Sequence, residues 1–232
     1  MKNYPGNKAI YGIYHKIINE IPQHKIYVEL FAGSGSICKL LYEDNPGITA
    51  EIYLNDIDSA VTAEYNFKVP VKIYNLNIFD ILKFNIFPLA NTDTFIFMDP
   101  PYEHETRKNN TEIYKHEFTR NDHIQLLNAV RDLKCNWMLI HPDCKLYNEA
   151  FEGFRKVQLK IRYHRKTSIE NLYMNYDTPD LLQTIKYIGI DCWDRQRIKR
   201  KCDRTIQKIS SLPPGEKQFI LSAIKNKLFI GS

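Results

Sequence analysis

From residue 26 onward, short apolar runs alternate with stretches of helical periodicity, and few folds accommodate that order. Residues 26–31, Ile-Tyr-Val-Glu-Leu-Phe, read as a buried strand, and 50–54, 71–74, 94–98 and 137–140 read the same way. Helical segments fall between them at 36–41, 59–66, 78–82 and from Thr119, where Leu126, Leu127, Val130 and Leu133 share one face. Before the first strand, Ile10, Ile13, Tyr14, Ile17, Ile18 and Ile21 repeat at three- and four-residue spacing until Pro22 stops the helix. Strand-helix alternation predicts an α/β fold with a mostly parallel sheet covered on both faces. Residues 154–163 and 171–176 are two long strands with no helix between them, which predicts an antiparallel pair at the sheet edge.

The chain then changes character. Residues 189–194 read as a linker, which divides a main domain, 1–188, from a basic helical C-terminal extension, 189–232. From Cys192 on there are ten Lys/Arg against three Asp/Glu, leaving 22 against 24 in the rest, so the extension carries all of the excess positive charge. A polyanion suits such a segment, and a solvated basic helix accounts for it equally well. No apolar run approaches the roughly 20 residues of a membrane span, and the N-terminus lacks the apolar core of a signal peptide. Five cysteines, with no CxxC pair, read as reduced thiols of a cytoplasmic protein without a metal site.

Three places carry candidate chemistry. Phe31-Ala32-Gly33-Ser34-Gly35 is a strand-to-helix turn whose glycines let backbone approach a ligand, with Ser36 as the expected helix cap. The next strand ends in Asn55-Asp56-Ile57-Asp58. An acidic group there suits ribose hydroxyls, and either aspartate also suits a helix cap. The third is Asp99-Pro100-Pro101-Tyr102. Chance produces this tetrapeptide in on the order of one in a thousand chains of such length. Its prolines restrict the backbone, so that the Asp99 carboxylate and the Pro100 carbonyl stand as two fixed acceptors. Two acceptors aimed at the N–H bonds of an aromatic amine favour the pyramidal form that attacks an electrophile. Tyr102 adds a face for a flipped base. The plainer reading of the strip is a rigid strand exit with a buried tyrosine.

These motifs resemble the Dam-like (D12 class) family of DNA N6-adenine methyltransferases. Tyr4-Pro5-Gly6-Asn7-Lys8 is similar to the family's N-terminal cofactor motif; Tyr114, Phe118-Thr119 and Asp122-His123 are similar to the segment after the catalytic strip; residues 170–176, Glu-Asn-Leu-Tyr-Met-Asn-Tyr, are similar to a late strand. The resemblance covers about residues 1–177. It implies a Rossmann-like methyltransferase fold with a seven-stranded sheet, S-adenosylmethionine as cofactor and double-stranded DNA as partner. It implies catalysis by Asp99, Pro100, Pro101 and Tyr102, and cofactor binding by Tyr4, Gly6, Asn7, Lys8, Glu29, Phe31, Ala32, Gly33, Ser34, Gly35, Asp56 and Asn77. Asn77 stands where many relatives have an acidic residue, with Asp80 close by. An acidic first residue in the strip favours adenine N6 over cytosine N4, and no cysteine follows a proline as in cytosine-C5 enzymes.

Only 68 positions separate Phe31 from Asp99, too few for the recognition domain that larger relatives carry there. DNA contacts are therefore expected from Arg107, Lys108 and Asn110 in the loop after the strip, from Arg165 between the late strands, and from Arg197, Arg200 and Arg204 on the basic helix. The alternatives are cytosine-N4 or RNA-adenine methylation, and a non-catalytic DNA-binding paralogue. The restriction-modification context is one expected setting.

Overall fold

The computed structural model describes residues 13–43, 47, 49–107, 115–163, 166–185, 188–189 and 192–228. Seven strands form one sheet: β1 (Ile26–Glu29), β2 (Glu51–Asn55), β3 (Lys72–Tyr74), β4 (Thr94–Met98), β5 (Asn136–Pro142), β6 (Arg155–Tyr163) and β7 (Lys166–Met174). Their order is β3-β2-β1-β4-β5-β7-β6. The first five strands are parallel, and β7 is antiparallel to both β5 and β6. This is the Rossmann-like sheet with an antiparallel edge pair that the sequence predicts.

The period of two along each strand builds two cores. Tyr27, Phe95, Phe97, Met138 and Ile140 face one layer, with Ile17 and Ile18 of α1 (Ile13–Asn19) and Ile37 of α2 (Ser36–Cys38). Val28, Ile96, Met98, Trp137 and Leu139 face the other, with Ile81 of α4 (Ile78–Phe84), Leu126 of α5 (Arg120–Arg131) and Tyr147 of α6 (Lys145–Ala150). Burial on both faces explains why β4 and β5 read as continuous apolar runs. By contrast β6 alternates, with Lys156, Gln158 and Lys160 exposed and Leu159 and Ile161 buried, as an edge strand wet on one face should.

Several boundaries differ from expectation. Ser36 is the first residue of α2 and does not cap it; the cap position is Gly35, in the left-handed region at φ 64°. The Ser36 hydroxyl instead lies 2.6 Å from that of Ser34. The helix after β2 is one turn, α3 (Ser59–Thr62), capped by Asp58. Thr119 does cap α5, through a reciprocal box with Asp122.

The chain divides into two compact units, residues 1–184 and 185–232. The second holds α7 (Cys192–Ser210) and α8 (Pro214–Leu228). Residues 192–194, expected in a linker, already belong to α7, where Asp194 sits in the first turn and pairs with Arg197 at 2.7 Å. Pro214 opens α8, the helical position that tolerates proline best. No helix among the described residues is long and apolar enough to cross a membrane.

Candidate active site

The strand order reverses between β1 and β4, and ligands in open α/β sheets lie beyond the carboxyl ends of the strands at that point. A cavity of about 580 Å³ opens there. Phe31, Ala32, Gly33 and Ser34 line it after β1, Asp56 and Asp58 after β2, Asn77 after β3, and Asp99, Pro101 and Tyr102 after β4. Glu29 contributes from the end of β1. The structure thus brings the glycine turn and the Asp99–Tyr102 strip into one cavity. Gly35 and Pro100 are not among its lining residues: Gly35 N–H closes the turn on the Ala32 carbonyl at 2.7 Å, and Pro100 is buried between two residues that do line it. Tyr4, Gly6, Asn7 and Lys8 lie outside the described residues.

Backbone N–H groups and polar side chains hold the turn. The Asp56 carboxylate accepts from Gly33 N–H at 2.8 Å and from Asp58 N–H at 3.0 Å. Burial raises the Asp56 pKa, and those two donors oppose the rise. A carboxylate has about four acceptor sites, so Asp56 keeps capacity for further donors in the cavity it lines. Of the two aspartates, Asp58 is the helix cap, bonding Ala60 N–H at 3.1 Å, and it also pairs with Lys115 at 3.0 Å. Asn55 was not anticipated. Its amide donates to the carbonyls of Leu30 and Leu76 and accepts from Leu76 N–H, so one buried side chain ties together the loops after β1, β2 and β3. Tyr65 donates to the Gly33 carbonyl at 2.8 Å.

Glu29 is 2% exposed. Burial pushes its carboxyl up to about 8; the Tyr27 hydroxyl, 3.0 Å away, works against that, and the negative charge of Asp99 adds to it. Asn77 caps α4 by accepting from Phe79 N–H at 2.9 Å, so its oxygen serves the helix as well as the cavity wall. Asp80, the nearby alternative, is exposed on α4 and does not line the cavity. The apolar wall is aromatic: Phe118 meets Phe31 edge-on, with centroids 5.7 Å apart, and stacks on Phe79 at the same distance. The Phe31–Phe79–Phe118 grouping draws on three segments far apart in sequence, the turn after β1, the first turn of α4 and the loop before α5, and has no signature in the sequence.

The loop after the strip corrects one expectation. Arg107 was expected to reach DNA, yet its side chain is 3% exposed. It pairs with Glu117 through both terminal nitrogens, at 2.8 and 2.5 Å, and donates to the Tyr102 carbonyl at 2.5 Å. A guanidinium held by a carboxylate and a carbonyl through its two terminal nitrogens clamps the loop back onto the strip. Lys108, Asn110 and Arg165 lie outside the described residues. Arg197, Arg200 and Arg204 are exposed on α7. Among the described residues no His, Cys, Asp and Glu cluster has the makings of a metal site.

The segment carrying the strip can be compared with known proteins. Residues 68–167 match the D12 class N6 adenine-specific DNA methyltransferase family. The D12 match begins before β3 and ends as β7 starts, so it contains Asp99–Tyr102 and its supporting loop, while the glycine turn lies outside it. No curated protein matches the chain in sequence. Among solved structures, the N-terminal domain of human METTL16 in complex with SAH is 12% identical, over 71% of this chain and 68% of that one, with a TM-score of 0.43. An rRNA methylase from Streptococcus thermophilus is 11% identical over 70% and 93%, with a TM-score of 0.42. A mutant of Spodoptera frugiperda DNMT2 is 13% identical over 72% and 52%, with a TM-score of 0.46.

Proposed function

We propose that this protein is an S-adenosylmethionine-dependent enzyme that methylates the N6 amine of an adenine flipped out of double-stranded DNA. The observation that supports it best is the single cavity whose wall runs from the glycine turn to the D12-class strip. Its volume lies within the roughly 300–1,000 Å³ usual for small-molecule sites. The residues fit such a cofactor. The turn presents backbone at Gly33 with φ 50°, Asp56 offers carboxylate oxygens suited to ribose hydroxyls, and the aromatic wall suits a purine ring. Phe31, Ala32, Gly33, Ser34, Glu29, Asp56 and Asn77 then form the cofactor side.

When bound, the cofactor supplies an already activated methyl group, so the protein needs no covalent nucleophile. The Asp99 carboxylate and the Pro100 carbonyl accept the two N–H bonds of the amine and turn its lone pair outward. Tyr102 gives the base a stacking face. Holding amine and donor in one cavity removes much of the entropic barrier. Arg197, Arg200 and Arg204 neutralise phosphates, a role for exposed cations that needs no base reading. In this reading the enzyme works in the cytoplasm, on host or phage DNA, with or without a restriction partner.

The test is to incubate the protein with S-adenosylmethionine and DNA free of modified bases, digest to nucleosides and analyse by mass spectrometry. N6-methyldeoxyadenosine is the expected product, and it should vanish in Asp99→Ala. N4-methyldeoxycytidine, or activity on RNA alone, would replace the substrate; binding of DNA with no product would leave a non-catalytic paralogue.

A further inference from the structure

Two prolines fix the backbone of the strip but leave the Tyr102 side chain free to rotate, so its stacking plane has to be set from elsewhere. The structure supplies the means. The Tyr102 hydroxyl donates to Glu170 Oε1 at 2.9 Å. Glu170 is 1% exposed on β7, opposite Pro142 of β5 in the antiparallel register. The ring also meets His141 edge-on, with centroids 5.8 Å apart and planes at 71°. His141 is itself immobilised: it is fully buried and stacks on Tyr147 at 3.7 Å. Its Nε2 accepts from Glu103 N–H at 3.0 Å, which leaves Nδ1 as the nitrogen that donates to the Pro142 carbonyl at 2.9 Å. The exit from the strip is thus anchored at the Tyr102 hydroxyl, at the Tyr102 ring edge, and at Glu103 N–H. All three anchors belong to the antiparallel seam of β5 and β7.

A carboxyl group is a costly choice for a site this buried, since an apolar side chain would fill the space without desolvation. Its position beneath a phenol hydroxyl gives it a use that packing alone does not explain. We infer that Glu170 is a positioning residue: through the Tyr102 hydroxyl it fixes the plane on which the target base stacks. This rests on the methyltransferase reading above. It adds that Glu170, on the late antiparallel strand and beyond the end of the D12-matched segment, is part of the active-site machinery.

The test is a mutant cycle on single-turnover methylation, with wild type, Tyr102→Phe, Glu170→Leu, the double variant, and Glu170→Gln. Tyr102→Phe keeps the ring and loses the hydroxyl; Glu170→Gln keeps an acceptor oxygen. Tyr102→Phe and Glu170→Leu should each slow the chemical step about tenfold, with the KM for S-adenosylmethionine unchanged. The double variant should be no slower than either single, and Glu170→Gln should stay within about threefold of wild type. Should Glu170→Leu fail to fold, Tyr102→Phe and Glu170→Gln still decide the matter. Losses that multiply, a Tyr102→Phe rate equal to wild type, Gln as damaging as Leu, or an effect confined to KM or melting temperature would each overturn the inference. A wild-type protein inactive on every nucleic acid would sink the parent reading and this one with it; an active wild type with independent losses would sink this one alone.

Discussion

Replacing Glu29 by glutamine should change how the stability of the first unit depends on pH. The glutamine is isosteric, neutral, and still accepts from the Tyr27 hydroxyl. In the folded chain the Glu29 carboxyl is buried beside Asp99 and titrates at about 8, against an ordinary value of 4.5 in an unfolded chain. The folded pKa is the higher one, so the group's stabilising contribution is complete below pH 4.5 and is lost as pH rises towards 8. Between pH 5 and pH 8 one proton with these two affinities withdraws about 3.5 kcal/mol from the folded state. Glu29→Gln removes that slope. Urea denaturation followed by fluorescence provides the assay. Trp137 is fully buried in the sheet, and Trp193, 72% exposed in the second unit, can be replaced by phenylalanine to leave a single reporter. The difference in stability between wild type and Glu29→Gln should move by about 3–4 kcal/mol across that range, with the wild type losing ground as pH rises. A difference constant to about 0.5 kcal/mol would show that Glu29 titrates like a solvated carboxylate, and the burial argument would fail. The same group couples to function. A cation held in the cavity favours ionised Glu29, so cofactor binding near neutral pH should release a proton, visible as a buffer-dependent heat of binding.

Other perturbations test the remaining contacts. Arg107→Ala removes one member of a buried pair and strands Glu117, which should cost about 3–5 kcal/mol in denaturant titrations; normal stability with weakened DNA binding would instead return Arg107 to the DNA surface. Gly35→Ala forces a side chain into a left-handed backbone at φ 64°, with its Cβ 2.5 Å from the Phe67 ring, and should lower the melting temperature by about 5 °C, whereas Gly47→Ala, with nothing nearby, should not. Changing Arg197, Arg200 and Arg204 together to alanine should flatten the dependence of log K on log salt by about 2 to 3 units; an unchanged slope would remove α7 from the DNA interface.

The parts of this molecule legible in the sequence are those governed by neighbours along the chain. Short apolar runs alternating with helical stretches predict a sheet covered on both sides, and successive residues of β1 and β4 do divide between the two cores. Asp99-Pro100-Pro101 is legible because its constraint is covalent. What stays hidden is decided by partners far apart in sequence. Arg107 looked like a ligand-facing cation because charged loop residues are usually solvated; Glu117, ten positions on, turns it inward. Asn77 looked like a cofactor ligand and is also the cap of its own helix, since the two roles ask for the same amide oxygen. Asn55 ties three loops together through carbonyls at Leu30 and Leu76, and neither bond follows from composition or period. Glu170 and Tyr102 stand 68 positions apart and meet only because β7 turns back antiparallel onto β5. The backbone constraint of the strip is therefore written locally, whereas the placement of its tyrosine is written in the sheet edge. A strip grafted onto a parallel sheet without that edge would keep its backbone constraint and lose the Glu170 and His141 contacts that hold the Tyr102 ring.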